Sequence, residues 1–476
     1  MHLYNKYIFF NAQACKMERR NIIAFVAAFV VVFYLHWYLN YNAPVRVESI
    51  TQSGTVTCPR NFLVDVDEIP PDTLNKLPPF NKQTFNTLFE PRNVAQLKNV
   101  LRQTFSSPDS TLLVIVLGGS ETAGVNCNQV DKVGVACSWG SRVVEWLQRE
   151  SGNKNIILHS LARGGTTSIS ILPVLRFMLG DVLQNPHSNV LVFIDYGAND
   201  AYETDDSFKQ FGITTTQGIS LAIEETVSII KTLSPNAAIV GFDLPVRDHE
   251  RALKIHLAYE STFLYHKIPS LRMGLLRWVG KPFWYWSGVH PTFEGHIFFA
   301  NAITHAFTET LCDREMEPKL SSPRMPEKSA LLVTCEKASS YYSAFKKTEM
   351  NEDSTCELYE DRPGKPGYIC VDDQSMSFDI QFGASPRIMV TYLQSYTSIG
   401  DAKLTINGVS VLLSGKNTNH VSQTKTTFFY AERKENQGHY KMIGLQGFGV
   451  KPHSKHIARI SSVDGNKIKI ISLISC

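Results

Sequence analysis

Four short stretches of this chain hold side chains that could do chemistry. Ser120 closes "VLGGS", where two glycines let the chain turn sharply and present a hydroxyl at a strand end. Gly164 and Gly165 in "LARGGTTS" leave backbone N–H groups unobstructed, and such donors can hold a developing oxyanion. Asn199 in "YGAND" adds a side-chain amide donor, with Asp200 placed to orient the loop or cap the next segment. His290 in "YWSGVHPTFEGH" brings an imidazole just ahead of an apolar helical stretch. A hydroxyl, an imidazole and amide donors are the groups of acyl transfer through a covalent intermediate. Each stretch alone also reads as an ordinary turn between a strand and a helix, so the meaning lies in the combination.

The elements between these stretches show how they could meet. From Thr111 the chain alternates: "TLLVIVLGGS" reads as a buried strand, "SWGSRVVEWLQRE" as a helix, "NIILHSLA" as a strand and "ISILPVLRFMLGDVLQ" as a helix. "NVLVFIDYGAND" and "AAIVGFDLPV" read as further strands, "GISLAIEETVSIIKTL" and "EGHIFFANAITHAFTETL" as helices. Short apolar strands alternating with helices predict a parallel sheet covered on both faces, a three-layer flavodoxin-like α/β fold, with ligand-binding loops at the strand C-terminal ends. Past Cys312 a Pro- and charge-rich linker (313–329) leads into short alternating runs, and "INGV" and "DGNK" signal hairpins. Residues 330–476 are therefore expected to form an all-β sandwich beside an α/β domain at 81–312.

The chain has 476 residues, 43% hydrophobic and 19% charged, enough for two cores. Its formal charge of +3 is not gathered into a basic face with interleaved aromatics, which argues against nucleic acid as a partner. Asn21 to Leu39 is almost continuously apolar, about as long as a membrane crossing requires. Lys6, Lys16, Arg19 and Arg20 precede it, so the positive-inside rule predicts a cytoplasmic tail (1–20), a transmembrane signal-anchor helix (21–39) and a polar stem (40–80) outside the cytosol. The run is too long for a cleaved signal, and Tyr38, Leu39 and Tyr41 stand where small residues would be needed. That makes the chain a single-pass type II protein of the secretory pathway or cell surface. Eight cysteines follow the span, an even number that suits disulfides in an oxidising lumen, with Cys127–Cys137 the first expected pair. No spacing matches a structural zinc site, and neither metal nor cofactor is expected.

In order and position, the four stretches resemble the blocks of the SGNH (GDSL-like) hydrolase superfamily over about Thr111 to Leu311. The resemblance implies Ser120 as nucleophile, His290 as base, and Gly165 and Asn199 in the oxyanion hole, with Gly164 a register alternative and the Ser120 N–H a third donor. Two positions depart from the pattern. Gly119 stands where the family has Asp beside the serine, and Ser287 stands where an Asp three residues before the histidine would orient it. The Ser287 hydroxyl can accept from Nδ1–H but supplies no negative charge to an imidazolium. Asp195 and Asp243 at strand ends, and Glu121 beside the nucleophile, are weaker candidates for the missing acid, while His296 reads as structural. The resemblance implies a Ser-His dyad esterase or O-acyl(acetyl) transferase acting on esters, with carbohydrate as the substrate class. The other reading is an inactive fold that binds glycans or acts as a scaffold. The sandwich either shields an edge of the catalytic sheet or presents aromatics such as Tyr392 and Tyr396 to sugars.

Overall fold

A computed structural model gives the fold and describes residues 58–476, except 60, 76, 130, 184–188, 209–212, 244–248, 275–289, 313–334, 336, 361–364, 418–421 and 431–447. The expected tail (1–20), membrane segment (21–39), much of the stem, the linker 313–329 and Ser287 lie outside the described residues. Among the described residues, no helix is long and apolar enough to cross a membrane.

The strands of the first sheet are β1 (Phe89–Glu90), β2 (Leu112–Gly118), β3 (Ile156–Ser160), β4 (Asn189–Asp195), β5 (Ala238–Asp243) and β6 (Ser270–Arg272). Every residue of β2 and β5 is buried, as expected of parallel strands covered on both faces. The spatial order is β3-β2-β4-β5-β6, all parallel, with β1 antiparallel beyond β6. Numbered along the chain, the parallel strands lie 2-1-3-4-5, the doubly wound order whose ligand crevice opens at the reversal. Here the reversal lies between β2 and β4, where Gly118 and Asp195 are register partners.

Alternate residues of β2 feed opposite cores, because successive side chains point to opposite faces. Val114 and Val116 pack with the helices Ala95–Ser106, Trp139–Ser151 and Phe293–Cys312. Ile115 and Leu117 pack with the helices Ser168–Val182, Thr215–Leu233 and His249–Tyr265. Two of these helices, Ala95–Ser106 and His249–Tyr265, interrupt their apolar positions with Lys, Arg, Gln and Glu. The first still buries Leu97, Val100, Leu101 and Thr104 at helical spacing, whereas the second has little amphipathic pattern and is held by packing.

The C-terminal residues form two antiparallel sheets. One contains β10 (Ser375–Gln381), β12 (Ala402–Ile406), β13 (Val409–Leu413) and β15 (Lys455–Ser462). The other contains β7 (Ser340–Ser343), β8 (Glu357–Glu360), β9 (Pro366–Cys370), β11 (Arg387–Gln394), β14 (Gln423–Tyr430) and β16 (Ile468–Ser475). Asn407 and Gly408 both have positive φ, 52° and 75°, and join β12 to β13 in the tight hairpin that "INGV" predicts. "DGNK" does something else: it carries the chain from β15 in one sheet to β16 in the other. All eight residues of β16 are buried because both its faces are covered. Ile470 and Leu473 enter the sandwich core, while Ile474 joins Met389 and Phe428 against the helix Ser168–Val182. The sandwich thus seats on that helix rather than along a bare sheet edge, and Ile157 on edge strand β3 remains exposed. Among the described residues four disulfides are formed: Cys58–Cys312, Cys127–Cys137, Cys335–Cys476 and Cys356–Cys370.

Candidate active site

At the end of β2 the chain turns tightly, with the N–H groups of Ala123 and Val125 donating to the Gly119 and Ser120 carbonyls at 3.0 Å each. Ser120 sits at this turn and is 8% exposed. Neighbouring loops leave no room for side chains before it. A Cβ on Gly118 would strike the Asp195 carbonyl, and one on Gly119 would overlap the Asn199 side-chain amide. At Gly119, the Asn199 amide occupies the space that a side chain would enter.

Asn199 lies on a one-turn helix, Gly197–Asp200, directly after β4. Its Nδ2 donates to the Thr166 carbonyl at 3.0 Å, tying the third block to the second. Gly165 has φ +81°, where a β-carbon costs about 1–2 kcal/mol. It is also pressed by the sandwich: the Thr424 N–H donates to its carbonyl at 2.7 Å, and an added Cβ would lie 3.3 Å from the Ser422 carbonyl oxygen. Gly164, the register alternative, has the Lys365 side chain lying in its Cβ position. Asp200 takes the role of a cap, but for the preceding helix. Its Oδ1 accepts from the Ser168 N–H at 2.7 Å and its Oδ2 from the Tyr259 hydroxyl at 2.9 Å, and burial lifts its pKa to about 7.

His290 reaches this cluster through a residue that the sequence pattern does not single out. Its Nδ1 lies 3.4 Å from Nδ2 of Asn126, which closes the turn begun at Ser120. Asn126 holds a left-handed backbone (φ 66°) and precedes Cys127, whose disulfide to Cys137 ties the turn down. Asn is among the few residues that adopt this conformation readily, which is the one local signal for it. A half-turn of the amide exchanges its two ends. With Oδ1 toward the ring it accepts Nδ1–H and leaves Nε2 as the base. Burial, and then the Lys365 ammonium, lower the His290 pKa to about 4. The ring is therefore neutral at pH 7 and a weaker base than an ordinary histidine.

The candidate acids are occupied elsewhere. Glu121 is buried, and burial together with the nearby Asp195 carboxylate pushes its pKa well up, so it is a poor source of negative charge. Asp195 accepts from the Thr122 hydroxyl. Asp243 pairs with Nδ1 of His256 at 3.2 Å. Ser287 falls outside the described residues, and residues 275–289 include no Asp or Glu to take its place. His296 is structural but caps a different helix from its own. Its Nδ1 accepts from the Trp139 N–H at 3.3 Å, and burial lowers its pKa to about 3. Tyr392 cannot stack on a sugar, because it is buried with its hydroxyl 3.1 Å from that of Thr427; Tyr396 is exposed. Among the described residues, no group of three or more His, Cys, Asp or Glu side chains could hold a metal ion.

No protein-family model matches the chain, and no curated protein matches it in sequence. Among solved structures, a two-domain esterase (CEX) active on acetylated mannans, co-crystallised with mannopentaose, matches 82% of this chain and 97% of its own at a TM-score of 0.54 and 16% identity. A second structure of a two-domain esterase of that description gives 0.53 and 15% over the same shares. Est24, a carbohydrate acetylesterase from Sinorhizobium meliloti, covers 41% of this chain and 97% of its own at 14% identity and a TM-score of 0.29.

Proposed function

We propose, from the premise that this chain has the SGNH hydrolase fold with an additional C-terminal domain, that it is an ester hydrolase acting on acyl groups of carbohydrate. The observation that carries this reading is the meeting of three loops at one turn. Asn199 packs on Gly119 and bonds to the second-block loop, and Asn126 of the Ser120 turn touches His290. In this reading Ser120 Oγ attacks the ester carbonyl as His290 Nε2 takes its proton. The tetrahedral oxyanion is held by N–H donors of Ser120, Gly165 and Asn199. As the intermediate collapses, its C–O bond to the sugar breaks and the imidazolium gives its proton to that sugar oxygen, which leaves as a hydroxyl; a water activated by the same ring then hydrolyses the acyl-enzyme. A sugar hydroxyl in place of that water would make the reaction a transfer. Carbohydrate as the substrate class is supported by the two-domain esterase of the same architecture that acts on acetylated mannans. Residues 21–39 would anchor the chain as a type II membrane protein of the secretory pathway or cell surface, exposing the site to glycans there.

A fluorophosphonate probe applied to the detergent-solubilised full chain tests the reading. Labelling that disappears in Ser120→Ala is expected, and a folded wild-type protein that takes no label overturns it. The second reading, a glycan-binding protein without turnover, is favoured by one observation. Among the described residues, the Lys365 ammonium disfavours the cationic form of His290.

A further inference from the structure

Among the described residues, β14 of the sandwich stands at the end of its sheet and pairs only with β11, so its other edge carries backbone groups that no strand meets. The second-block loop lies along that edge. The Thr424 N–H donates across it to the Gly165 carbonyl at 2.7 Å, and the Thr426 hydroxyl donates to the Ser170 carbonyl at 3.1 Å. The hydroxyl of Thr391 on β11 lies 2.9 Å from that of Thr426 and can donate to it, which leaves the Thr426 proton for Ser170. The fit is close. Every residue from Gly165 to Ser170 is buried, and a Cβ on Gly165 would lie 3.4 Å from the Gln423 Cα.

Gly165, at φ +81°, has no Cβ to limit its backbone, so the direction of its N–H depends on what holds the peptides on either side. On the carboxyl side the holders are the Thr424 N–H and a turn in which the Thr166 N–H donates to the Arg163 carbonyl at 3.2 Å. Donors to an oxyanion are effective because they are fixed before the reaction begins. We infer that the free edge of β14 is a positioning element of the esterase site: the Thr424 N–H and the Thr426 hydroxyl hold the second-block loop so that the Gly165 N–H faces the oxyanion. This rests on the oxyanion role that the reading above gives to Gly165. The sandwich is then a working part of the catalytic centre, acting through Gly165 rather than on the substrate.

Three variants of the full chain test this. Proline is tolerated where the N–H of an edge strand faces outward, so Thr424→Pro removes the donor without taking a rung from the β11–β14 ladder. Thr426→Val removes the hydroxyl at nearly constant shape, and Thr426→Ser keeps it. With a simple acetyl ester, kcat should fall by about 10² in Thr424→Pro, as for a displaced catalytic group, and about fivefold in Thr426→Val, as for one neutral hydrogen bond. KM should not change, and Thr426→Ser should restore kcat. Amide hydrogen exchange over residues 163–170 should quicken in Thr424→Pro and Thr426→Val, while that of β11 stays as it was. Unaltered exchange of the loop, full kcat in both variants, or a loss in Thr426→Ser as large as in Thr426→Val would each overturn the inference. If Thr424→Pro does not fold, the valine and serine variants decide it. A wild-type protein that takes no fluorophosphonate sinks the esterase reading, and exchange then decides alone whether β14 holds the loop. A labelled wild type with full kcat in both variants sinks this inference and leaves the esterase reading standing.

Discussion

The two halves of the candidate site are held in different ways. On the Ser120 side, backbone hydrogen bonds hold the Gly119 and Ser120 carbonyls, and the Asn199 amide packs on Gly119 and donates to the Thr166 carbonyl. On the base side, the Nδ1 of His290 meets an exposed amide at 3.4 Å, and burial with a nearby ammonium opposes its protonation. Stabilisation of an oxyanion needs dipoles fixed in advance, the role that the proposed reading gives to the Ser120 half. Activation of a hydroxyl needs a ring that gains from becoming cationic, and that is where this site is weak. In a serine protease, replacing the acid behind the histidine by its amide costs about 10⁴ in turnover. Under the proposed reading, the expected outcome is a slow esterase.

The sharpest break between the halves is Ser120→Ala, which should lower turnover of a simple acetyl ester by about 10⁴ or more with the fold unchanged by circular dichroism. Asn199→Ala comes next, with about 10²–10³ lost from kcat, as for removal of one oxyanion donor. Asn126 tests the weaker half. Asn126→Asp keeps a residue that tolerates the left-handed backbone and supplies the missing charge, so kcat/KM at pH 7 should rise by about tenfold, one pKa unit of better base stabilisation. If it does not, Asn126 does not position His290. The smallest effect is in the pH profile. A base must be neutral, and a His290 pKa of about 4 keeps it so from neutrality down to about pH 4, with kcat/KM falling below that. Removing the ammonium in Lys365→Met should move this acid limb to higher pH, because one of the two causes lowering the pKa is gone.

Much of this arrangement was readable along the chain. The apolar run of β2, the two glycines that end it and the Gly-rich stretch after β3 mark Ser120 and Gly165 as strand-end residues. Cys127 and Cys137, ten residues apart, form the disulfide that their spacing suggested. The helix His249–Tyr265 and strands β7, β8, β9 and β15 were not readable, because their apolar residues lack a clean period or occupy runs of only a few positions. Asn126 escaped notice for a different reason: an exposed Asn in a loop is unremarkable until its partner, 164 residues away, is known.

By itself, the sequence determined the class of fold and the order of its chemical loops, since strand burial, helix periodicity and glycine turns are each written within a window of a few residues. The tertiary contacts alone settle what stands behind His290, what fills the space beside Gly119 and how the sandwich meets the second block. Those are contacts between side chains distant in sequence, and their geometry is set by the closure of the sheet and the docking of one domain on a helix of the other.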